Sequence, residues 1–127
     1  MRVLGIGVDL VEVERIERAV ARHEGFVPRL FSPREAERCR DCSRPAVRYA
    51  ACFAAKEATA KALGTGMRGF SWREVELLAE EDGRPRLVLS GKAKELAASL
   101  GISDVLVSVS HTRDMVVAVA QAVGEGP

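Results

Sequence analysis

The chain opens with an apolar run, Arg2 to Val8, broken only by Gly5 and Gly7. Such a run predicts a buried strand. From Val11 to Arg22 the spacing becomes helical. Val13, Ile16 and Val20 form one apolar stripe, and Arg15, Arg18 and Arg22 fall elsewhere on the cylinder. Phe26 to Phe31 reads as a short helical turn or loop. Ser32-Pro33-Arg34-Glu35 is a helix start: Ser at the N-cap, Pro at the first helical position, Glu placed to close a capping box. That helix is expected to end between Asp41 and Arg44. Pro45 then opens an alanine-rich helix to about Leu63, stopped by Gly64.

The second half changes period. Gly64 to Ser71 is a glycine-rich loop. Glu74 to Glu80 and Arg86 to Ser90 predict two strands joined through Glu81-Asp82-Gly83. Gly91 to Leu100 predicts a helix, with Leu96 and Leu100 one turn apart. Val105, Val107 and Val109 alternate with Leu106, Ser108 and Ser110, and Met115 to Ala122 is β-branched and apolar. These runs predict a hairpin turning at Thr112-Arg113-Asp114, with Gly124 to Pro127 as a frayed tail. The order strand, helices, hairpin, helix, hairpin implies an α+β fold, a mainly antiparallel sheet packed against helices. At 127 residues the simplest organisation is a single domain over 1–127.

Composition narrows the classes. An apolar fraction of 47% and a charged fraction of 29% describe an ordinary soluble protein. A net charge of +1 argues against bulk nucleic-acid binding. The N-terminal run meets Asp9, Glu12 and Glu14 too soon for a secretory core or a membrane span. The three cysteines, Cys39, Cys42 and Cys52, are an odd set without a disulfide framework, and a cytoplasmic location is expected. Cys39 and Cys42 form a lone CxxC: zinc wants a second pair, and a redox motif wants a βαβ setting. Gly5-x-Gly7 is no dinucleotide fingerprint, because Leu10 stands where the third glycine belongs.

The chemistry concentrates around two acids and a lysine. Glu57 and Lys61 lie at i and i+4 on the alanine-rich helix, and so share a face. Asp9 interrupts the apolar strand at its end, a costly place for an unpaired charge. Mg²⁺ is commonly held by one or two carboxylates plus substrate phosphates, so Asp9 and Glu57 suggest a metal-bound diphosphate. Lys61 and the Gly64-Thr65-Gly66 turn suit phosphate. Plainer readings stand beside these: Asp9 as the cap of the next helix, and Glu57–Lys61 as an intrahelical pair worth roughly 0.3–0.5 kcal/mol. Lys56 points about 140° away from Lys61 and need not share its work. His111, at a strand end, suits a phosphate or a structural role. Arg15, Arg18, Arg22 and Arg29 form either a solvated mixed-charge face or a docking surface for an acidic protein.

Three motifs carry a resemblance: Gly5-Ile6-Gly7-Val8-Asp9-Leu10-Val11-Glu12, then Phe53-Ala54-Ala55-Lys56-Glu57-Ala58 with Lys61-Ala62-Leu63-Gly64-Thr65-Gly66, then Ser108-Val109-Ser110-His111-Thr112. Over nearly its whole length the chain resembles the holo-[acyl-carrier-protein] synthases, the small 4′-phosphopantetheinyl transferases. Gly83-Arg84-Pro85 resembles that family's hairpin turn. The resemblance implies the same fold and a Mg²⁺-dependent transfer of 4′-phosphopantetheine from coenzyme A to a serine of an apo-acyl carrier protein. The other product is adenosine 3′,5′-bisphosphate. It implies Asp9 and Glu57 as metal ligands and catalytic residues with Lys61. It also implies coenzyme A contacts at Lys61, Gly64, Thr65, Gly66, Arg84, Pro85, His111 and Thr112. Arg15, Arg22 and Arg29 would dock the acidic carrier protein, and the family is typically a homotrimer with sites between subunits. Cys52 departs from the pattern: many members carry arginine there, so any phosphate contact it makes is lost or supplied elsewhere. Two other readings remain open, a non-catalytic carrier-protein-binding module and a metal-dependent diphosphate hydrolase.

Overall fold

Strand β1 runs from Arg2 to Glu12, past the point where its apolar run ends, in a computed structural model that describes residues 1–127. Helix α1 follows at Val13–Arg22 with Glu12 at its N-cap. Asp9 therefore stands inside a strand, paired with Ala118 of the last strand, and caps nothing. The plainer reading of Asp9 fails because the sheet continues through it.

The short α2 spans Phe26–Leu30. Helix α3, Pro33–Arg40, begins with the full capping box of Ser32 and Glu35. Helix α4, Pro45–Leu63, ends on Gly64 at φ +81°, a left-handed position that favours glycine. A 3₁₀ turn at Trp72–Glu74 leads into β2, Val75–Ala79, and its hairpin partner β3, Pro85–Leu89. Helix α5 is Gly91–Ser99, and β4, Ile102–His111, pairs with β5, Met115–Gly124. The expected frayed tail is tied down instead: Gly124 belongs to β5, and the Gly126 N–H donates to the Gly101 carbonyl at 3.2 Å.

The strands make two antiparallel sheets, β1-β5-β4 and the β2-β3 hairpin. Register assigns the faces of the larger one. Gly7, Ala120 and Val107 share a row, as do Asp9, Ala118 and Val109. These rows face α4. The alternate rows, led by Ile6, Val8 and Leu10, face away. Successive strand residues point to opposite faces, so period two alone sorts them.

Small residues let α4 lie close on β1. A Cβ built on Gly7 would overlap the Ala58 carbonyl, and one on Gly5 the Ala62 carbonyl. Ala118, Ala120 and Ala122 of β5 and Ala54, Ala55 and Ala58 of α4 are wholly buried. Any side chain at position 5 or 7 must push the helix off the strand. The two glycines that fail as a nucleotide fingerprint are thus packing glycines, and they set the height of Glu57 above the sheet.

A buried polar network fixes the rotation of α4. Lys56 and Glu35 are both fully enclosed and pair at 2.7 Å. Lys56 Nζ also donates to the Trp72 carbonyl at 3.0 Å and to the Val75 carbonyl. Glu35 accepts from the Ser32 N–H and, through its other oxygen, from the Leu77 N–H, each at 3.0 Å. Beside it Arg34 forks onto Glu76 with two bonds of 2.7 Å, and Ser32 donates to the same carboxylate. Those bonds, Arg34's foremost, hold Glu76 below the ordinary carboxylate range. Its contribution to stability is therefore present above its unfolded value and fades as pH falls through the lowered one.

Candidate active site

The residues singled out around Asp9 come together. Lys61 does not pair with Glu57 along the helix. It crosses to β1, donating to the Val8 carbonyl at 2.8 Å and approaching Asp9 Oδ1 at 3.4 Å. Asp9 and Glu57 are close enough to repel. Burial pushes the Glu57 carboxyl up, Asp9 pushes it further, and Lys61 and Arg15 oppose the shift. Two half-buried acids with one shared lysine are short of positive charge. No third His, Cys, Asp or Glu joins them to form a closed metal cluster. That donor set fits Mg²⁺, which takes few protein carboxylates and fills its remaining positions with water and substrate oxygens.

The glycine turn contributes less than its composition promised. The Gly64 and Gly66 N–H groups close back onto the Lys61 and Ala60 carbonyls, and the Thr65 hydroxyl donates to the Gly66 carbonyl. Only the Thr65 N–H of these three amides bonds neither to α4 nor to a side chain, so the turn serves first as a helix stop.

The remaining positions expected to contact coenzyme A lie elsewhere, and only Pro85 and His111 meet in one cavity. His111, exposed, ends β4 with Nδ1 at 3.2 Å from the Thr112 carbonyl. Pro85 and His111, far apart in sequence, line one small cavity of about 190 Å³ with Val47, Arg48 and Leu77. Arg84 folds onto Asp82 at 2.8 Å within the hairpin turn. The Thr112 hydroxyl accepts from the Asp114 and Met115 N–H groups and shapes the β4–β5 turn. Asp9 and His111 lie on opposite edges of the three-stranded sheet, two strand spacings or roughly 10 Å apart. Along α4 the step from Arg48 to Glu57 adds roughly 13 Å. Within one chain the two groups of residues therefore lie apart and form no continuous site.

The arginines are exposed as a set. Arg15 lies over the Phe53 ring at 5.9 Å. Phe53 is stacked between Phe26 and Trp72, with centroids 6.4 and 5.3 Å away. Phe53, Glu57 and Lys61 occupy one face of α4 at intervals of one turn, so the aromatic ledge adjoins the acids. Arg18 pairs loosely with Glu14 at 3.5 Å, and Arg22 and Arg29 make no ion pair.

Sequence reasoning missed the Lys56–Glu35 pair, Arg48 and the burial of Cys52. The Lys56–Glu35 pair was invisible because its partners come from separate helices. Arg48 carries no motif. Cys52 lies in the core, 3.9 Å from Cys39 Sγ. That contact, with burial, raises its thiol well above its ordinary value. All three cysteines are free.

The model of the 4′-phosphopantetheinyl transferase superfamily matches residues 5–120. The chain belongs to that superfamily. Among its transferase relatives, the holo-[acyl-carrier-protein] synthase of Desulforudis audaxviator is 50% identical over 123 residues, 96% of this chain and 94% of the relative. The crystal structure of the synthase from Neisseria meningitidis superposes with a TM-score of 0.88 at 34% identity, covering 95% of this chain and 98% of the other. The Helicobacter pylori synthase in complex with coenzyme A superposes with a TM-score of 0.82 at 32% identity, covering 93% and 99%. The α+β architecture expected from the sequence is that of these transferases, with the strands divided between two sheets.

Proposed function

We propose that this chain is a holo-[acyl-carrier-protein] synthase that moves 4′-phosphopantetheine from coenzyme A to a serine hydroxyl of an apo-acyl carrier protein, with Mg²⁺. The observation that carries this reading is the meeting of Asp9, Glu57 and Lys61 at the β1–α4 contact of a phosphopantetheinyl transferase-family chain. Asp9 and Glu57 would hold the ion. Bound there, Mg²⁺ supplies Lewis-acid polarisation of the diphosphate. Lys61, on a long stem beside Asp9, leaves the Val8 carbonyl to neutralise a phosphate oxygen as charge builds on the leaving group. Glu57, or a water oriented by one of the two acids, would accept the serine proton. Arg15, over the aromatic ledge beside these acids, and the exposed Arg22 and Arg29 suit an acidic carrier protein. Pro85 and His111, with Arg84, Thr112 and the Gly64-Thr65-Gly66 turn as lesser contacts, complete the coenzyme A assignment.

The two half-sites support a homotrimer with each site assembled from adjacent copies. The outward face of the larger sheet supports it too. Ile6, Val8, Leu10, Leu106 and Val119 are 42–64% exposed on that one surface. A contiguous apolar patch of this kind is the mark of an interface. Three free thiols suit the cytoplasm, and no helix is long and apolar enough to cross a membrane.

Intact-mass analysis of apo-acyl carrier protein with this chain, coenzyme A and Mg²⁺ tests the reaction. The expected result is the mass gain of one phosphopantetheine per carrier. Binding without gain would favour the non-catalytic module, and coenzyme A breakdown without an acceptor would favour a hydrolase. Light scattering tests the assembly. The protein is expected to run as a trimer, and Ile6→Glu with Leu10→Glu to yield folded monomers that have lost activity. An active monomer would overturn the shared-site arrangement.

A further inference from the structure

Three thiols lie where α3 meets α4, and the transfer reaction uses none of them. Cys39 on α3 and Cys52 on α4 are both sealed in the core. Though 13 positions apart in sequence, they face each other with Sγ atoms 3.9 Å apart. Cys42 follows Cys39 by one turn, and its N–H donates to the Cys39 carbonyl at 3.2 Å. The Cys42 thiol donates to the Arg38 carbonyl at 3.3 Å and is half-buried rather than enclosed. It borders an open cavity that Arg44 and Arg48 also line and no carboxylate does. The CxxC that lacks a second pair in the sequence therefore has a third thiol in space.

A disulfide holds its sulfurs about 2.05 Å apart, so the buried pair is short of a bond by roughly 2 Å. Rotation of the two side chains with a small movement of α3 closes that gap. Helix α4 is the fixed partner, because it lies directly on Gly5 and Gly7. A dissolved oxidant meets Cys42 before either buried thiol. Residues three apart on a helical turn have Cβ atoms about 5–6 Å apart, close enough for Cys42 and Cys39 to exchange a disulfide. Arg44 and Arg48 draw an anionic disulfide toward Cys42.

We propose that Cys39 and Cys52 are a redox modification site, a reversible disulfide staple between α3 and α4 that Cys42 loads from a low-molecular-weight disulfide. Cys42 attacks the external disulfide, forming a mixed disulfide and releasing one small thiol. Cys39 attacks the Cys42 sulfur, forming the Cys39–Cys42 bond and releasing the second small thiol. Cys52 attacks the Cys39 sulfur, forming the Cys39–Cys52 bond and returning Cys42 to its free thiol. Each attacking sulfur gives up a proton and each departing sulfur takes one up. In sum the buried pair loses two electrons and the external disulfide gains them. Burial and the Cys39 contact raise the Cys52 thiol, which makes the last exchange the slow one. The final bond is favoured because it closes a longer loop than Cys39–Cys42 and is shielded from reductant. None of this depends on the transfer reaction.

The test treats the reduced, folded protein with oxidised glutathione below its melting temperature, alkylates the remaining thiols and maps the chain by mass spectrometry without reduction. Trypsin separates all three cysteines, since Arg40 and Arg48 lie between them. The expected map has Cys42 alkylated and a cross-linked peptide joining Cys39 to Cys52. The oxidised protein should melt about 5–15 °C above the reduced form, and dithiothreitol should reverse the rise. Cys39→Ser and Cys52→Ser should show no rise, each compared with its own reduced form so that a loss of stability in the variant cancels. Cys42→Ser should reach the same cross-link at least about tenfold more slowly. Three alkylated thiols, a Cys39–Cys42 or glutathione-capped end product, or an oxidised form that melts no higher than the reduced one overturns the staple. An unchanged rate in Cys42→Ser overturns the relay. Should a serine variant fail to fold, the wild-type map decides the pairing by itself.

Discussion

Replacing Asp9 or Glu57 with alanine should lower transfer to the carrier protein by on the order of 10³-fold, the scale of losing one preorganised electrostatic group. It should do so without loss of fold. The two carboxylates sit together in a half-buried notch, and Glu57 is held above its ordinary range by burial and by its neighbour. A raised carboxyl means that the folded state disfavours the charged form. The ionised Glu57 therefore costs stability at neutral pH, and this cost is relieved as pH falls through its raised value. Its removal should leave the melting temperature unchanged or higher, the signature of a residue retained for function against stability. The measurement pairs intact-mass turnover at several Mg²⁺ concentrations with thermal unfolding. Addition of a chelator to the wild type should match the variants. Full turnover in either alanine variant, or indifference to the chelator, would remove the metal assignment.

Lys56→Met should produce the largest loss of stability in the chain, about 3–5 kcal/mol. The substitution leaves the Glu35 carboxylate sealed from water without a counter-charge, and it strips the Trp72 and Val75 carbonyls of their donor. Denaturant unfolding measures it, and activity should fall with the folded fraction rather than through KM. The double variant Lys56→Met with Glu35→Leu should recover part of the loss, because no buried charge remains. It should not recover all of it, since the Ser32 and Leu77 N–H groups lose their acceptor. A single variant within 1 kcal/mol of wild type, the ordinary scale of one neutral hydrogen bond, would show that the pair does not fix α4.

These two expectations separate neighbours in the sequence. Lys56 and Glu57 are adjacent, yet one is sealed against Glu35 and the other faces the notch it shares with Asp9. A helix turns about 100° per residue, so consecutive positions meet different surroundings. The motif Phe53-Ala54-Ala55-Lys56-Glu57-Ala58 thus combines a ledge, a packing surface, an anchor and an acid facing Asp9.

Much of the architecture was legible without coordinates. Local rules wrote the capping box at Ser32–Glu35, the glycine stop after Leu63, the alternation of β4 and the hairpin at Asp82-Gly83, because each depends on residues within a few positions. The motifs around Asp9, Glu57 and His111 named the family. Other properties required the tertiary fold, since each depends on groups distant in sequence. Strand pairing with β5 carried β1 through Asp9 and aimed that acid at α4. Close packing over Gly5 and Gly7 brought Lys61 to Asp9 instead of Glu57. Burial joined Lys56 to Glu35 and Cys52 to Cys39. The sheet's width kept His111 away from the acids, a separation of β1 from β4 that no local pattern encodes.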